Sequence, residues 1–215
     1  MKKAVNILSL FLVIVMIAGV FAGCESQAEK LEKLAGTWVL TTDDTEEQAQ
    51  LMLEGLDLYE EEISLVDLTS LDYVKVVEFG MDKTYRFFCD SDGTKVCVRT
   101  FLEGVFDALY ENRTALNDVY DVEFDEISKT DFLQFYAELY QQTDFDALID
   151  HMVSNAYDYD SLADSIEAGT FSISGSKIMT TINGKSTAEA VGYRINGDQL
   201  TLTYSDAVEV YTRSN

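Results

Sequence analysis

Closely spaced hairpin signals near the C-terminus constrain the fold of this chain more than any other feature. Asn183-Gly184 and Asn196-Gly197 each stand between runs in which apolar and polar residues alternate. Asn-Gly between such runs is the strongest short signal for a two-residue hairpin turn. We therefore predict an antiparallel meander whose strands are Thr170–Ser174, Ser176–Ile182, Thr187–Ile195, Gln199–Tyr204 and Val208–Arg213.

The middle of the chain contains three further segments with strand character. Residues of high β propensity alternate with polar ones over Val74–Phe79, Thr84–Cys89 and Thr94–Arg99, and Asp92-Gly93 is placed for a turn. Together with the C-terminal meander, these segments predict a mainly β protein with an antiparallel sheet.

Two helical insertions interrupt the predicted strands. The first covers residues 45–72 and begins with a Thr45-x-x-Gln48 capping box. Within it, Glu60-Glu61-Glu62 is predicted to be a solvated loop, and Ile63–Leu71 a second short helix.

The second insertion covers residues 101–168 and is strongly acidic. It contains 17 acidic residues against two basic ones, Arg113 and Lys129, and also half of the tyrosines and half of the phenylalanines of the chain. So many aromatic residues require a buried helical core. Two interpretations stay open: the helices cap the barrel, or they form a separate lobe that binds a partner.

A Gly-x-Trp motif, Gly36 and Trp38, stands at the start of a first strand. Together with the string Tyr193–Leu200, it resembles the lipocalin and lipocalin-like families of small antiparallel barrels. The resemblance implies that residues 34–215 form a lipocalin-like barrel carrying the helical insertions. It also implies a structural role for Gly36 and Trp38 at the barrel base, where Arg213 of the last strand would stack on the indole.

The hairpin turns predict which strand residues face the barrel interior. A two-residue turn at Asn196-Gly197 pairs Tyr193 with Leu200 and Val191 with Leu202, all on one face. The candidate ligand-binding residues on this face are Val191, Tyr193, Leu202, Tyr204 and Glu189.

Glu189 is the charged member of that set. The same alternation places it opposite Ile178 and Tyr204. A carboxylate that faces a barrel interior either contacts a ligand or lies near an open, hydrated end. A β-bulge would instead turn Glu189 outward.

The N-terminus carries an export signal. Lys2 and Lys3 precede an apolar run from Leu10 to Phe21. The following residues end in Ala22-Gly23-Cys24, which resembles a bacterial lipobox.

The lipobox resemblance implies that residues 1–23 are a lipoprotein signal peptide and that Cys24 becomes lipidated. Residues 24–33 would form a short tether to the cell membrane, on its extracytoplasmic side, because two acyl chains anchor a protein stably. The alternative is an uncleaved membrane anchor, since the stretch 4–23 is nearly long enough to span a bilayer.

Charge and motif content exclude several classes of function. The chain has 39 acidic and 15 basic residues, a net charge of −24. Nucleic acids and anionic lipid headgroups both require a basic surface. A single histidine, His151, excludes His-rich metal sites, and phosphate loops, zinc spacings and nucleophile elbows are missing. We therefore predict no catalytic site, metal or cofactor.

Cys89 and Cys97 raise the question of a disulfide in an exported chain. On adjacent predicted strands, the core pattern places the two residues on opposite faces, and Cβ atoms that point apart cannot be bridged. We expect two thiols, although a shift of one residue in the intervening loop would align the pair.

Two functional hypotheses follow. The first is a lipid-anchored binding module that takes a small apolar or amphipathic ligand into the barrel. The second is an interaction protein that docks a cationic envelope protein through its acidic insertion. A hydrolase that uses paired carboxylates is a third, weaker alternative, because no pair of acids stands out.

Overall fold

Eight antiparallel strands form a closed barrel in which each strand pairs with its neighbours in chain order. The computed structural model describes residues 26–43, 45–164, 167–183 and 189–214. The strands are β1 (Gly36–Asp43), β2 (Asp72–Phe79), β3 (Thr84–Cys89), β4 (Glu167–Ser174), β5 (Lys177–Ile182), β6 (Glu189–Asn196), β7 (Gln199–Thr203) and β8 (Val208–Arg213). The mainly β fold with helical parts is thus confirmed. The signal peptide, its alternative as an anchor and Cys24 lie outside the described residues.

One helix directly precedes β1, and the others lie in the two connections β1–β2 and β3–β4. They are α1 (Gln27–Leu34), α2 (Glu46–Gly55), α3 (Glu60–Ile63), α4 (Ser91–Glu111), α5 (Asn117–Tyr120), α6 (Lys129–Leu139), α7 (Phe145–Ala156) and α8 (Tyr159–Asp164). Short 3₁₀ turns lie at Leu68–Ser70 and Arg113–Leu116. We call α2–α8 and these turns the helical lobe.

The barrel and the helical lobe have separate hydrophobic cores. Barrel core residues include Trp38, Val77 and Phe171, while the lobe core includes Phe106 and Phe132. The structure therefore shows a helical lobe with its own core, and α4 of this lobe also packs against β2 of the barrel. Whether the lobe binds a partner is a separate question.

The strand predicted over Thr94–Arg99 is wrong, because this segment is part of the first two turns of α4. The side chain of Asp90 caps the helix by accepting a hydrogen bond from the Asp92 backbone N–H. Thr94 and Val98 then extend the buried helical stripe backward from Phe101. Helical packing against the lobe core overrides the β propensity of the segment.

The prediction of a solvated loop at Glu60-Glu61-Glu62 is also wrong. These residues begin α3, and the side chain of Glu62 is fully buried in the lobe core. The second short helix expected over Ile63–Leu71 is reduced to the end of α3 and the 3₁₀ turn at Leu68–Ser70.

The hairpin between β6 and β7 differs from the predicted register by two residues. The turn lies at Gly197-Asp198, and Tyr193 pairs with Leu202 instead of Leu200. In the hairpin before it, Glu189 pairs with Thr180 instead of Ile178. A shift by an even number of residues leaves each strand's inward face unchanged, because strand side chains alternate with period two.

Helix α1 occupies most of the segment expected to form a tether. A capping box between Ser26 and Glu29 starts the helix. Leu31 and Leu34 then pack against the barrel core. Residues 27–34 therefore belong to the folded barrel and do not extend away from it.

Candidate functional site

The two ends of the barrel differ in the elements that lie beside them. In an antiparallel meander the connections that follow odd-numbered strands emerge at the same end. The connections that carry the helical lobe, β1–β2 and β3–β4, are both of this kind. Helix α1 packs at the opposite end, beside the start of β1.

Trp38 and Arg213 close the α1 end in the way that the lipocalin resemblance implied. The indole is fully buried, and its Nε1 donates a hydrogen bond of 2.8 Å to the carbonyl oxygen of Leu34. The Arg213 guanidinium lies 4.0 Å above the ring, and its Nη1 donates to the carbonyl oxygen of Ala35 at 2.9 Å. This cation–π contact contributes about 1 kcal/mol. The group is structural.

Gly36 is required at this closed end for two reasons. Its φ of +130° lies in a region that residues with a Cβ rarely adopt. A Cβ at this position would also lie 2.7 Å from Nη1 of Arg213. A substitution here would therefore strain the backbone and displace the arginine.

A cavity of about 430 Å³ opens at the end where the helical lobe leaves the barrel. Its wall is mainly apolar and comes from the inward faces of several strands, including Phe87, Ile178, Val191 and Leu202. Sites for small molecules typically enclose about 300–1,000 Å³. The cavity is thus large enough for a small organic ligand.

An ion pair lies in the wall of this cavity. Lys75 Nζ is 2.7 Å from Oε1 of Glu209, and the Tyr211 hydroxyl donates a 2.8 Å hydrogen bond to Oε2 of Glu209. Burial alone would lower the pKa of Lys75, but the hydrogen bond and charge of Glu209, with a smaller effect of Tyr73, raise it overall. The lysine is therefore charged and engaged.

A second carboxylate lies at the cavity mouth. Glu167 pairs with Phe87 in the sheet, and its Oε1 accepts a 3.0 Å hydrogen bond from the Tyr85 hydroxyl. Burial, together with the charge and hydrogen bond of Glu209 and the charge of Glu167, raises the pKa of Tyr204. This tyrosine is neutral at physiological pH and can donate or accept a hydrogen bond.

Three of the five predicted ligand-binding residues line the cavity: Val191, Leu202 and Tyr204. Tyr193 lies closer to the α1 end, where it packs against the barrel core, outside the described residues that line the cavity. The backbone of Glu189 pairs with that of Thr180, which lines the cavity. The side chain of Glu189 lies outside the described part of the chain.

Sequence reasoning missed the polar residues of the site, Lys75, Glu167 and Glu209. Each stands two residues from an apolar inward position: Lys75 before Val77, and Glu209 before Tyr211. Extending the period-two alternation to charged residues would have found them.

Cys89 and Cys97 both carry thiols, as expected, and no disulfide joins them. The expected reason is wrong, because Cys97 lies on α4 and not on a neighbouring strand. Cys89 lines the cavity. Burial and the nearby charge of Asp72 raise the pKa of Cys97, which makes its thiol less reactive.

Within the described ranges, no helix is long and apolar enough to cross a membrane. The same residues include no group of three or more His, Cys, Asp or Glu side chains that could hold a metal ion. His151 is exposed on α7, with Nδ1 3.4 Å from the Asn155 amide. Comparisons of the chain with protein-family models, curated proteins and solved structures give no match.

Proposed function

We propose that this protein is a non-catalytic binding module, a lipocalin-like barrel held by a lipid on Cys24 at the extracytoplasmic side of the cell membrane. Its ligand is small and apolar or amphipathic. The observation that carries the proposal is the cavity of about 430 Å³ at the open end of the barrel. A barrel built as a scaffold would fill this space with side chains.

The composition of the wall supports an amphipathic ligand. Phe79, Phe87 and Val191 offer an apolar surface for a chain or ring, and their burial against a ligand would contribute about 25 cal/mol per Å². Tyr204 and Glu167 place hydrogen-bonding groups at the same cavity. Such a wall favours a ligand with an apolar body and one polar end.

Native mass spectrometry of the full-length protein, extracted gently from membranes of a producing host, tests ligand binding. We expect a non-covalent adduct of roughly a few hundred daltons, which the cavity volume allows. The adduct should be lost under denaturing conditions. A bare protein mass under all gentle conditions would contradict the proposal.

Matched valine variants locate the adduct. Val191 lines the cavity, whereas Val210 is exposed on β8. Val191→Phe fills part of the cavity and should remove most of the adduct, while Val210→Phe should leave it unchanged. Equal occupancy in both variants would place the ligand elsewhere.

The lipid anchor has its own test. Intact-mass measurement of the membrane-extracted protein should give a chain that begins at Cys24 and carries a diacylglycerol-sized addition. Cys24→Ser should keep residues 1–23 and lack the lipid. An unmodified Cys24 in the wild-type protein would contradict the anchoring proposal without affecting the cavity.

A second candidate function is docking of a cationic protein on the helical lobe. In residues 101–168, the acidic part of the lobe, the basic residues Arg113 and Lys129 are engaged, the first by backbone carbonyls and the second by Asp107 at 2.6 Å. Asp121 and Glu123 are exposed acids of this segment, and neither takes part in the ion pairs of the described residues. Asp121→Asn with Glu123→Gln should weaken salt-sensitive cross-linking to a membrane partner, and unchanged cross-linking would contradict this function.

A further inference from the structure

The charges around the cavity are unbalanced. Among the described residues that line it, Lys75 is the single cation, and Glu167 and Glu209 are the two carboxylates. Lys75 already pairs with Glu209 at 2.7 Å. A ligand carboxylate would therefore have to break this ion pair to reach a cation.

Glu167 has no such cationic partner within the part of the chain that the structure describes, where the ion pairs involve other acids. Its Oε1 accepts a hydrogen bond from the Tyr85 hydroxyl at 3.0 Å, which orients the carboxylate. The residue is exposed and lines the cavity, so its carboxylate is accessible to an entering ligand.

Aromatic rings extend the preference for a positive ligand into the cavity. Phe79, Phe87, Tyr204 and Tyr211 all contribute to the lining. The faces of such rings attract cations, with contributions of about 0.5–2 kcal/mol that grow as water is excluded. The net charge of −24 on the whole chain acts in the same direction by raising the local concentration of cations.

We propose that the ligand of this cavity is an amphipathic cation, an apolar chain or ring that carries one ammonium-type group. The apolar part lies against Phe87, Val191 and Leu202, and the cationic group lies at the mouth beside Glu167. This inference rests on the proposed function, because it specifies the ligand class of the same cavity. Fatty acids and other amphipathic anions are disfavoured by Glu167 and by the engaged Lys75.

Three water-soluble probes with the same apolar body test the inference: 4-phenylbutylammonium, 4-phenylbutanol and 4-phenylbutanoate. Isothermal titration calorimetry would use the full-length protein in nanodiscs of a zwitterionic phospholipid, with empty nanodiscs as the blank. We expect the ammonium to bind roughly tenfold more tightly than the alcohol, and the carboxylate more weakly than the alcohol.

A pair of charge-neutralising variants assigns the preference to one residue. Glu167→Gln should remove most of the advantage of the ammonium and leave the affinity for the alcohol unchanged, which also shows that the barrel remains folded. Glu78→Gln is the matched control, because Glu78 lies outside the cavity lining and pairs with Arg86 at 3.6 Å. It should change none of the three affinities.

The outcomes separate the two proposals. If the alcohol binds but the ammonium gains nothing over the carboxylate, or if Glu167→Gln leaves the preference intact, the inference of a cationic ligand is wrong and the binding module stands. If none of the three probes binds, the proposed function fails together with the inference.

Discussion

The barrel and the helical lobe bury acidic side chains in different ways. In the lobe, Glu62 is fully buried and accepts hydrogen bonds from the Tyr59 backbone N–H at 2.8 Å and from the hydroxyls of Tyr120 at 2.7 Å and Tyr136 at 2.5 Å. These donors are neutral and belong to the lobe itself. In the barrel, Glu209 pairs with a charged lysine beside an open cavity.

The aromatic side chains of the lobe and of the barrel also pack differently. In the lobe, Phe106 contacts both Tyr136 and Phe145 edge to face, with ring centroids 5.1 and 5.3 Å apart. In the barrel, Phe79 packs against Phe171 at 5.1 Å, but the rings of Phe79 and Phe87 lie 6.5 Å apart and both line the cavity. The lobe core is filled by contacts of this kind, whereas the barrel leaves inward-facing side chains such as Phe87 and Glu209 in the wall of a cavity. This difference supports the proposal that a ligand binds in the barrel rather than in the lobe.

The largest contrast should come from removing one phenylalanine in each region. Phe106→Ala deletes a fully buried ring and should cost about 3–5 kcal/mol of unfolding free energy. Phe87→Ala enlarges an existing cavity and should cost about 1–2 kcal/mol, since the ring is half-buried. Urea unfolding followed by far-UV circular dichroism measures both values. Equal losses would mean that the barrel interior is as tightly packed as the lobe.

Neutralising one inward-facing acid in each region, Glu62 in the lobe and Glu209 in the barrel, should give the next largest contrast. Glu62→Gln places an NH₂ donor against a backbone or hydroxyl donor, and should cost about 1–3 kcal/mol. Glu209→Gln breaks a partly exposed ion pair and should cost less than about 1 kcal/mol. The same urea assay applies. A larger loss of stability for Glu209→Gln than for Glu62→Gln would mean that Glu209, and not Glu62, is the acid that stabilises the fold.

Alkaline pH should destabilise the fold through its buried tyrosines. Burial, then the charge of Glu62, raises the pKa of Tyr136. An unfolded tyrosine ionises near pH 10, so above that pH unfolding releases a proton and stability falls by about 1.4 kcal/mol per pH unit until the folded pKa is reached.

Tyr136→Phe should therefore reduce the slope of unfolding free energy against alkaline pH by the contribution of about one proton. Tyr211→Phe in the barrel should have the same effect, because burial also raises the pKa of Tyr211. Urea unfolding at several values between about pH 9 and pH 11 measures the slopes. A slope that stays unchanged in Tyr136→Phe would show that the lobe opens to water before it unfolds.

The smallest expected effect concerns the closed end of the barrel. Arg213→Lys keeps the charge but loses the planar stacking on Trp38 and part of the hydrogen bonding to backbone carbonyls. It should cost about 1 kcal/mol. Arg86→Lys, on a surface pair with Glu78, is the control and should change stability by less than about 0.5 kcal/mol. Equal effects would argue against a structural role for the Trp38 stack.

The sequence predicted those parts of the barrel that depend on local pattern. The limits of Thr84–Cys89 and Val208–Arg213 agree with β3 and β8. Inward faces are also predictable because they follow strand alternation alone. Pairing partners depend on the position of each turn, and the Asn-Gly signal at 196–197 gave a turn one residue too early.

The remaining errors concern residues whose environment comes from distant parts of the chain. The donors that make burial of Glu62 tolerable are 58 and 74 residues further along. The helical segment Thr94–Arg99 packs against distant parts of the chain, since Thr94 Oγ1 accepts a hydrogen bond from the backbone N–H of Val74 in β2 at 3.2 Å. The partner of Lys75 in its ion pair, Glu209, is 134 residues away. Single-sequence patterns do not contain these contacts.

Methyl NMR of the full-length protein during titration with 4-phenylbutanol tests the central claim most directly. We predict that the methyl signals of the cavity residues Ile178, Val191 and Leu202 shift in a saturable way. Those of Leu102 and Leu109 in the lobe core should stay unchanged. Shifts confined to the lobe, or none in the barrel at saturating probe, would contradict a ligand site at the open end of the barrel.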